Sequence, residues 1–354
     1  MERLPLRLCP VAGESLVGFL LRLAGHNSLT DVKWLVGMAE IPASDPKVLS
    51  RGRGLGKLSR ITGIAETTLV DLAYWPLPRS QTWFFGHHLD RDLLTANHRR
   101  MCPLCMKEAA FHRAIWDLSI VTVCPVHGIR LIDRCPTCGR MLSWTSAPLS
   151  YCPCGADLTS TPNTSVLGDQ LAGISEVYRV TGFLPGKPTI EAFPVDYQSS
   201  GGLLKMMVSL GWLVHGGEFT PNLIGLSHHP DVHLWLNTGF VICRDWPQSF
   251  YTVLLSVKER KETSYAFLAR LLEDRLPSAL GGIIQTALGE FVIAERSALA
   301  SNNHPSGDNF GHGNHPVVRD ADTASLAFDR RRKLPRLPRS PRPTEQDQCS
   351  SHCG

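Results

Sequence analysis

The first quarter of the chain has apolar residues at helical spacing. Residues 13–25 (GESLVGFLLRLAG) bring four large apolar side chains onto one helical face: Leu16, Phe19, Leu20 and Leu23. Gly25 follows at a position where glycine commonly ends a helix. The pattern therefore predicts a helix that ends at Gly25. A further apolar group, Val32, Leu35 and Val36, follows within residues 28–40.

A second helical pattern surrounds Gly63. Residues 55–75 predict two short helices around this glycine, with five apolar side chains pointing inward: Leu58, Ile61, Ile64, Leu69 and Leu72. Helix, glycine turn and helix at this spacing resemble a helix-turn-helix element, and an ordinary helical hairpin fits the pattern equally well. If the element binds DNA, the candidate phosphate contacts are Arg51, Arg53, Lys57 and Arg60.

The C-terminal third of the chain repeats the helical pattern and then loses it. Residues 200–298 have helical apolar periodicity, interrupted by Pro221, Pro230 and Pro247. After Asn302 the sequence becomes polar and then rich in Pro and Arg, which predicts a disordered tail. We therefore expect four regions: a helical domain over 1–98, a metal module over 99–160, a second helical domain over 161–300, and a basic tail over 301–354.

The cysteines are concentrated in the middle of the chain. Seven of the eleven lie within residues 102–154, where two sets of ligand pairs read C-x2-C-x18-C-x2-H and C-x2-C-x13-C-x-C. Four thiolate or imidazole ligands per set suit a tetrahedral Zn²⁺ ion, and a filled set leaves no position for a substrate. The spacing predicts two structural zinc ions on Cys102, Cys105, Cys124, His127 and on Cys135, Cys138, Cys152, Cys154.

Proline and glycine punctuate these ligand pairs. A proline directly follows one cysteine in each pair, at Pro103, Pro125, Pro136 and Pro153, and a glycine follows the last ligand at Gly128, Gly139 and Gly155. The ligands could pair sequentially or in the interleaved manner of RING domains. Seven residues separate His127 from Cys135, more than RING spacing has, and this favours sequential pairing.

The segment between Cys105 and Cys124 carries a mixed pattern. Its apolar residues predict a helix through Phe111, Ile115 and Leu118, then a strand over residues 120–123 that leads into the second ligand pair. Trp116 is expected in the core. His112 is interpreted as an exposed helical residue, with a role as a spare ligand as the alternative.

The C-terminal tail differs in charge from the rest of the chain. The chain has 43% hydrophobic residues, 19% charged residues and a net charge of +4, while residues 329–342 hold seven basic side chains against Asp329. This tail suggests a polyanionic partner, with Arg330, Arg331 and Arg332 as candidate DNA contacts. Arg99 and Arg100, just before the first cysteine, are further candidates. The absence of a signal sequence or long apolar run predicts a soluble, cytoplasmic protein.

Three stretches resemble the TniQ/TnsD family of bacterial transposition proteins. They are the opening PVAGESLVGFLLRLA, the run LSRITGIAETTLVDL, and the series CPLC, CPVHG, CPTCG and CPCGADL. The resemblance covers roughly residues 5–160 well and 200–298 more loosely, through features such as RDWPQSF. It implies a mainly α protein with a small central α+β zinc-ribbon-like module, flanked by helix-turn-helix-like elements. The tail after Asn302 does not continue the C-terminal element that the family would have.

The resemblance also implies a function. Members of the family select targets for transposition: they associate with target DNA or a CRISPR effector complex and recruit an AAA+ ATPase of the TnsC/TniB type, which engages the transposase. By resemblance, the eight metal ligands carry over onto the two sets named above. We therefore expect a non-catalytic, nucleoid-associated adaptor without a membrane partner, and a homodimer is one option for its assembly.

Two other function classes are alternatives to an adaptor. A nuclease or recombinase would use an open zinc site or an acidic cluster, and Glu108, Asp117 and Asp133 are too scattered along the sequence to indicate one. A zinc-dependent protein-interaction or regulatory DNA-binding module without a role in transposition is the alternative reading. DNA affinity and its dependence on salt would separate an interaction module from an adaptor.

Overall fold

A computed structural model describes residues 4–41, 51–52, 54–95, 98–144, 146, 148–190, 200–215, 226, 228–259, 282, 284–291, 293–294 and 297. Its helices are α1 (Leu16–His26), α2 (Lys33–Met38), α3 (Leu55–Thr62), α4 (Glu66–Asp71), α5 (Pro103–Glu108), α6 (Ala172–Val180), α7 (Ser200–Val214), α8 (Val232–Arg244) and α9 (Gln248–Glu259). Its strands are β1 (Trp75–Pro76), β2 (Gln81–Phe84), β3 (His87–Asp90), β4 (Val123–Cys124) and β5 (Ile129–Arg130).

Helix α1 is the buried centre of the N-terminal region. Ser15 caps it, because its hydroxyl accepts a hydrogen bond from the backbone N–H of Gly18. The predicted apolar face is buried, with Leu16, Phe19, Leu20 and Leu23 at most 1% exposed. The predicted end at Gly25 is wrong by one residue, since the helix runs to His26. Asn27 ends it, because its side-chain amide donates to the Leu23 carbonyl.

Two short helices flank Gly63, as the pattern predicts. Helix α3 ends at this glycine, which has a φ of +72°, and α4 begins three residues later. The five side chains expected to face inward, Leu58, Ile61, Ile64, Leu69 and Leu72, are buried. A small antiparallel sheet in the order β1-β2-β3 follows, and the apolar pattern did not indicate it.

The C-terminal helices α7 and α8 pack with their backbones in close contact. A Cβ atom added at Gly211 of α7 would meet the carbonyl of Trp235, and one at Gly239 of α8 would meet the carbonyl of Met207. These glycines allow the helix axes to approach more closely than larger residues would. Pro230 and Pro247 lie in the turns before α8 and α9, as predicted, whereas Pro221 lies outside the described residues.

The segment between the first two ligand pairs differs from the prediction. It contains a short 3₁₀ turn, Ala114–Asp117, in place of a helix through Phe111 and Leu118. The only strand described there is Val123–Cys124, shorter than expected. A tertiary contact accounts for the missing helix, because the guanidinium of Arg100 donates hydrogen bonds to the backbone carbonyls of this loop. Trp116 is fully buried, as expected.

The described residues up to Phe291 belong to one compact unit, and the division by contacts falls between Phe291 and Val292. The boundaries expected near residues 98 and 160 stay predictions. The basic tail over 301–354, with Arg330, Arg331 and Arg332, lies outside the described residues. Among the helices that the structure describes, none combines the length and apolar character needed to cross a membrane.

Candidate metal centres

The first ligand set, tetrad 1, is Cys102, Cys105, Cys124 and His127. Cys102 is the N-cap of α5, and its sulfur accepts from the backbone N–H of Cys105, while Pro103 occupies the first helical position. Strands β4 and β5 form a hairpin that carries Cys124 at its strand end and His127 in its turn. Gly128 has a φ of +61° in this turn, as the glycine punctuation predicts.

The ligand atoms of tetrad 1 lie at distances that suit a tetrahedral ion. The Cys105 and Cys124 sulfurs are 3.6 Å apart, and His127 Nδ1 lies 3.3 Å from the Cys105 sulfur and 3.5 Å from that of Cys102. Sulfurs bound to zinc at about 2.3 Å on tetrahedral corners would be roughly 3.8 Å apart. The three cysteines are at most 3% exposed, so the donor set fits a closed structural zinc site.

Glu108 orients the histidine of tetrad 1. His127 Nε2 lies 3.1 Å from Oε1 of Glu108, the last residue of α5. A histidine that donates its Nε2–H to a carboxylate presents the lone pair of Nδ1, which is the atom facing the three sulfurs. In the sequence Glu108 is only one of several scattered carboxylates, because its supporting role depends on the hairpin being folded.

The thiols of tetrad 1 would ionise together only with a cation bound between them. Hydrogen bonding to Cys102 and Cys124, together with burial, raises the pKa of the Cys105 thiol far above its usual value. Zinc requires its cysteine ligands as thiolates, and a bound dication reverses this penalty. The four ligands are therefore compatible with one another when a divalent ion binds between them.

The second ligand set, tetrad 2, is Cys135, Cys138, Cys152 and Cys154. The Cys135 and Cys154 sulfurs are 3.7 Å apart, as are those of Cys138 and Cys152. Two isolated antiparallel bridges bracket its turns, one around Cys135 and Cys138 and one around Cys152 and Cys154. Cys138 and Cys154 are exposed, so tetrad 2 lies at the surface whereas tetrad 1 is buried.

The structure groups the ligands in sequence order. The first four candidate ligands lie together and the last four lie together, so the interleaved RING-like pairing does not describe this fold. Gly139 and Gly155, with φ of +71° and +89°, take the left-handed conformation that the glycine punctuation indicates.

Arg99 and Arg100 are buried rather than exposed to solvent. Arg99 donates to the carbonyls of Ser143 and Leu149, and Arg100 donates to four carbonyls of the loop over residues 116–121. Burial lowers the pKa of each guanidinium to about 10, so both stay charged at neutral pH. The expectation that these arginines contact phosphates does not match their placement, because both are at most 2% exposed and hold the metal module together.

The other candidate DNA contacts have different surroundings. Arg51 and Arg60 are exposed, and Arg60 lies in α3. Lys57 is half-buried and donates to the carbonyl of Glu40. Arg53 lies outside the described residues.

A buried polar network was not anticipated from the sequence. His112, expected to be exposed, is 1% exposed, and its Nδ1 lies 3.0 Å from the Ser15 hydroxyl. Its Nε2 lies 3.6 Å from Asp117, whose other oxygen accepts a hydrogen bond from Tyr74. Serine, histidine and aspartate are also the residues of a hydrolase triad, but here all three are buried and the Ser15 hydroxyl caps α1. The network joins α1 to the metal module.

The buried Glu14 pairs with the half-buried Arg22, with 2.7 Å between Arg22 Nη2 and Glu14 Oε2. Burial raises the pKa of the Glu14 carboxyl, and its bonds with Arg22 and the Val11 N–H partly offset this rise. In the sequence, the signal for this ion pair is the glutamate directly before the Ser15 cap and the arginine eight residues after that glutamate. Their pairing follows from the two turns of helix between them.

These features define a class of protein: a mainly helical fold built around a small module with two Cys/His tetrads that could each hold a metal ion. The family model described as TniQ matches residues 5–131. This match over about the first third of the chain supports the resemblance that the sequence indicated. The matched range includes tetrad 1 and ends before tetrad 2. A search of curated proteins returned no match.

Proposed function

We propose that the chain is a non-catalytic target-selection adaptor in DNA transposition. In this role it links target DNA, or a guide complex, to an AAA+ ATPase of the TnsC/TniB type and through the ATPase to the transposase. The observation that carries the proposal is the TniQ match over residues 5–131, a family associated with transposition.

Two structural zinc ions belong to the proposal. Each tetrad offers four ligands of the type that zinc prefers, so neither has a coordination position left for a substrate. The ions would fix a zinc-ribbon-like module between the two helical regions. The burial of tetrad 1 among core residues supports a structural role rather than a catalytic one.

The DNA-binding part of the proposal rests on the surface around α3. Arg51 and Arg60 are exposed there and can reach phosphates, whereas Arg99 and Arg100 are committed to backbone carbonyls. Contacts of this kind position a protein on DNA without reading its sequence. The tail residues Arg330, Arg331 and Arg332 would add affinity of the same sequence-independent kind.

The first experiment measures DNA affinity against salt concentration for the zinc-loaded protein. We expect the double substitution R51A/R60A to weaken binding and to reduce the slope of log K against log salt by about 2, one for each phosphate contact. The matched control is R91A, which removes an exposed arginine from the 3₁₀ turn Arg91–Leu93. An unchanged slope in R51A/R60A would remove this surface from the proposal.

The second experiment tests the adaptor role itself. The zinc-loaded chain is mixed with a TnsC/TniB-type ATPase from a related transposon, and complex formation is measured with and without DNA. We expect a complex that is lost when C105S removes a ligand of tetrad 1. DNA binding without any ATPase complex would favour the regulatory DNA-binding alternative instead.

A further inference from the structure

A third group of metal-ligating side chains lies outside both tetrads. It consists of His98, Asp133 and His228, whose candidate ligand atoms all lie within 4.8 Å of one another. The three residues are far apart in the sequence. His98 precedes the first cysteine pair, Asp133 lies between the tetrads, and His228 precedes α8.

Both histidines approach the same carboxylate oxygen. Asp133 Oδ2 lies 3.1 Å from His228 Nδ1 and 3.8 Å from His98 Nε2. Nitrogen and oxygen ligands that bind zinc at about 2.1 Å on tetrahedral corners would be roughly 3.4 Å apart. The two measured distances bracket this value, and the ligand nitrogens of the two histidines lie within 4.8 Å of each other.

Hydrogen bonding alone does not account for the cluster. His228 can donate to Asp133, but 3.8 Å is beyond hydrogen-bond reach for His98 Nε2. That nitrogen is buried and has no hydrogen-bond partner among the described residues, while the side chain of His98 is only 5% exposed. A buried polar atom without a partner costs free energy, and a metal ion would satisfy it.

Charges of both signs surround His98. Burial lowers the pKa of His98 to about 4, the charges of Arg100, His228 and Arg134 lower it further, and that of Asp133 raises it. The carboxylate of Asp133 supplies one negative charge for a cation. The positive charge of Arg100 opposes a cation, but its guanidinium donors point to the carbonyls of Trp116, Leu118 and Val121.

We propose that His98, Asp133 and His228 form a third divalent-metal site. Two imidazoles and a carboxylate are the ligands of zinc and related first-row ions. Three protein ligands leave a coordination position for water, and the side chain of His228 is 48% exposed, so this ion exchanges more easily than those of the tetrads. The site ties the segment before α8 to the metal module.

The test is zinc stoichiometry at fixed free-metal concentration. Wild-type protein is dialysed to equilibrium against buffered free Zn²⁺, and the bound zinc is counted by mass spectrometry. We expect three ions per chain at the highest free zinc and two at the lowest, because the open site releases its ion first. The substitutions H228A and D133N should each remove the third ion and leave two at every concentration.

The matched control is H26A, which removes an exposed histidine at the end of α1 and should keep three ions. A wild-type count that stays at two, or a third ion retained by both H228A and D133N, would overturn the third site while leaving the tetrads intact. A count of zero or one would refute the tetrads instead. Cobalt substitution gives a second readout. The absorption spectrum of the cobalt-loaded wild type should contain a weak band without sulfur charge-transfer character, which comes from the third site, and both H228A and D133N should lose this band.

Discussion

At the scale of single residues, the buried cations are the least expected feature. Arg100 has no carboxylate in hydrogen-bond contact among the described residues, and backbone carbonyls surround its guanidinium instead. Four such bonds from one side chain determine the course of the loop over residues 116–121. The adjacent Arg99 does the same for the carbonyls of Ser143 and Leu149. In the metal module, hydrogen bonds from these two arginines satisfy backbone carbonyls that a helix or sheet would otherwise pair.

Removing the Arg100 guanidinium should therefore destabilise the protein strongly. We expect R100A to lower the free energy of unfolding by about 3 kcal/mol, because buried carbonyls would lose their donors. Urea denaturation of the zinc-loaded protein measures this change. R91A is the control, and its exposed side chain predicts an effect within about 0.5 kcal/mol. Equal stabilities of R100A and R91A would contradict the structural role of Arg100.

Asp117 should make stability depend on pH. Burial raises its pKa from 3.8 to about 7, despite the hydrogen bond from Tyr74 and the charge of Arg100. The folded state thus binds the proton more tightly than the unfolded state, so this group's contribution is complete below pH 4 and is lost as pH rises toward 7. His112 acts in the opposite direction, since burial lowers its pKa.

The substitution D117N isolates this contribution, because asparagine keeps the shape and cannot ionise. We expect the stability of D117N relative to wild type to increase as pH rises from 4 to 8, measured by urea denaturation at each pH. A difference between the two proteins that stays constant across this range would show that Asp117 does not titrate as its burial predicts.

At the scale of elements, the local pattern predicted helices well where one face is buried. The inward residues of α1, α3 and α4 are buried as expected, because a 3.6-residue period directly encodes a buried face. Helix prediction failed around residue 115, where Arg100 satisfies the carbonyls. The sheet β1-β2-β3 was missed because its strands have four residues or fewer, too few to establish an alternating pattern.

The contact between α7 and α8 gives a test at this scale. A methyl group at Gly239 would collide with the Met207 backbone. We therefore expect G239A to lower the free energy of unfolding by about 2 kcal/mol or more, and the thermal midpoint by several degrees. The control is G37A in α2, where nothing lies within 4 Å of an added Cβ. Helix propensity predicts that G37A is neutral or stabilising. A similar loss in both variants would attribute the effect to something other than helix contact.

At the scale of the whole molecule, the two tetrads differ in access. All three cysteines of tetrad 1 are buried, whereas Cys138 and Cys154 of tetrad 2 are exposed. A chelator reaches exposed sulfurs first. The ion of tetrad 2 should therefore leave before that of tetrad 1, and release from tetrad 1 should require unfolding of the core.

Chelator-driven zinc release measures this order. The measurement uses H228A, so that only the tetrads contribute, and we expect one fast and one slow phase of one ion each. C138S should abolish the fast phase, while C105S should abolish the slow phase and reduce soluble yield because its site is in the core. Two ions released together from H228A would mean that both tetrads open in one step.

The sequence by itself predicted how the cysteines and His127 group into the two tetrads, and the structure groups them in the same order. Ligands with one or two residues between them, and with proline and glycine beside them, form a knuckle whose geometry is local, so no distant contact is needed to recognise it. The same holds for the buried face of α1. The family resemblance rested on these same stretches, and the TniQ match confirms it.

Only the tertiary structure decided which polar residues are buried and which meet. The sequence alone cannot show that the side chains of Arg99 and Arg100 are buried, because an arginine before a cysteine fits an exposed surface turn equally well. Nor can it show that His98, Asp133 and His228 converge, since 35 and 95 residues separate successive members. Such contacts depend on how the packed elements bring distant segments together, and hydrophobic periodicity carries no information about that arrangement.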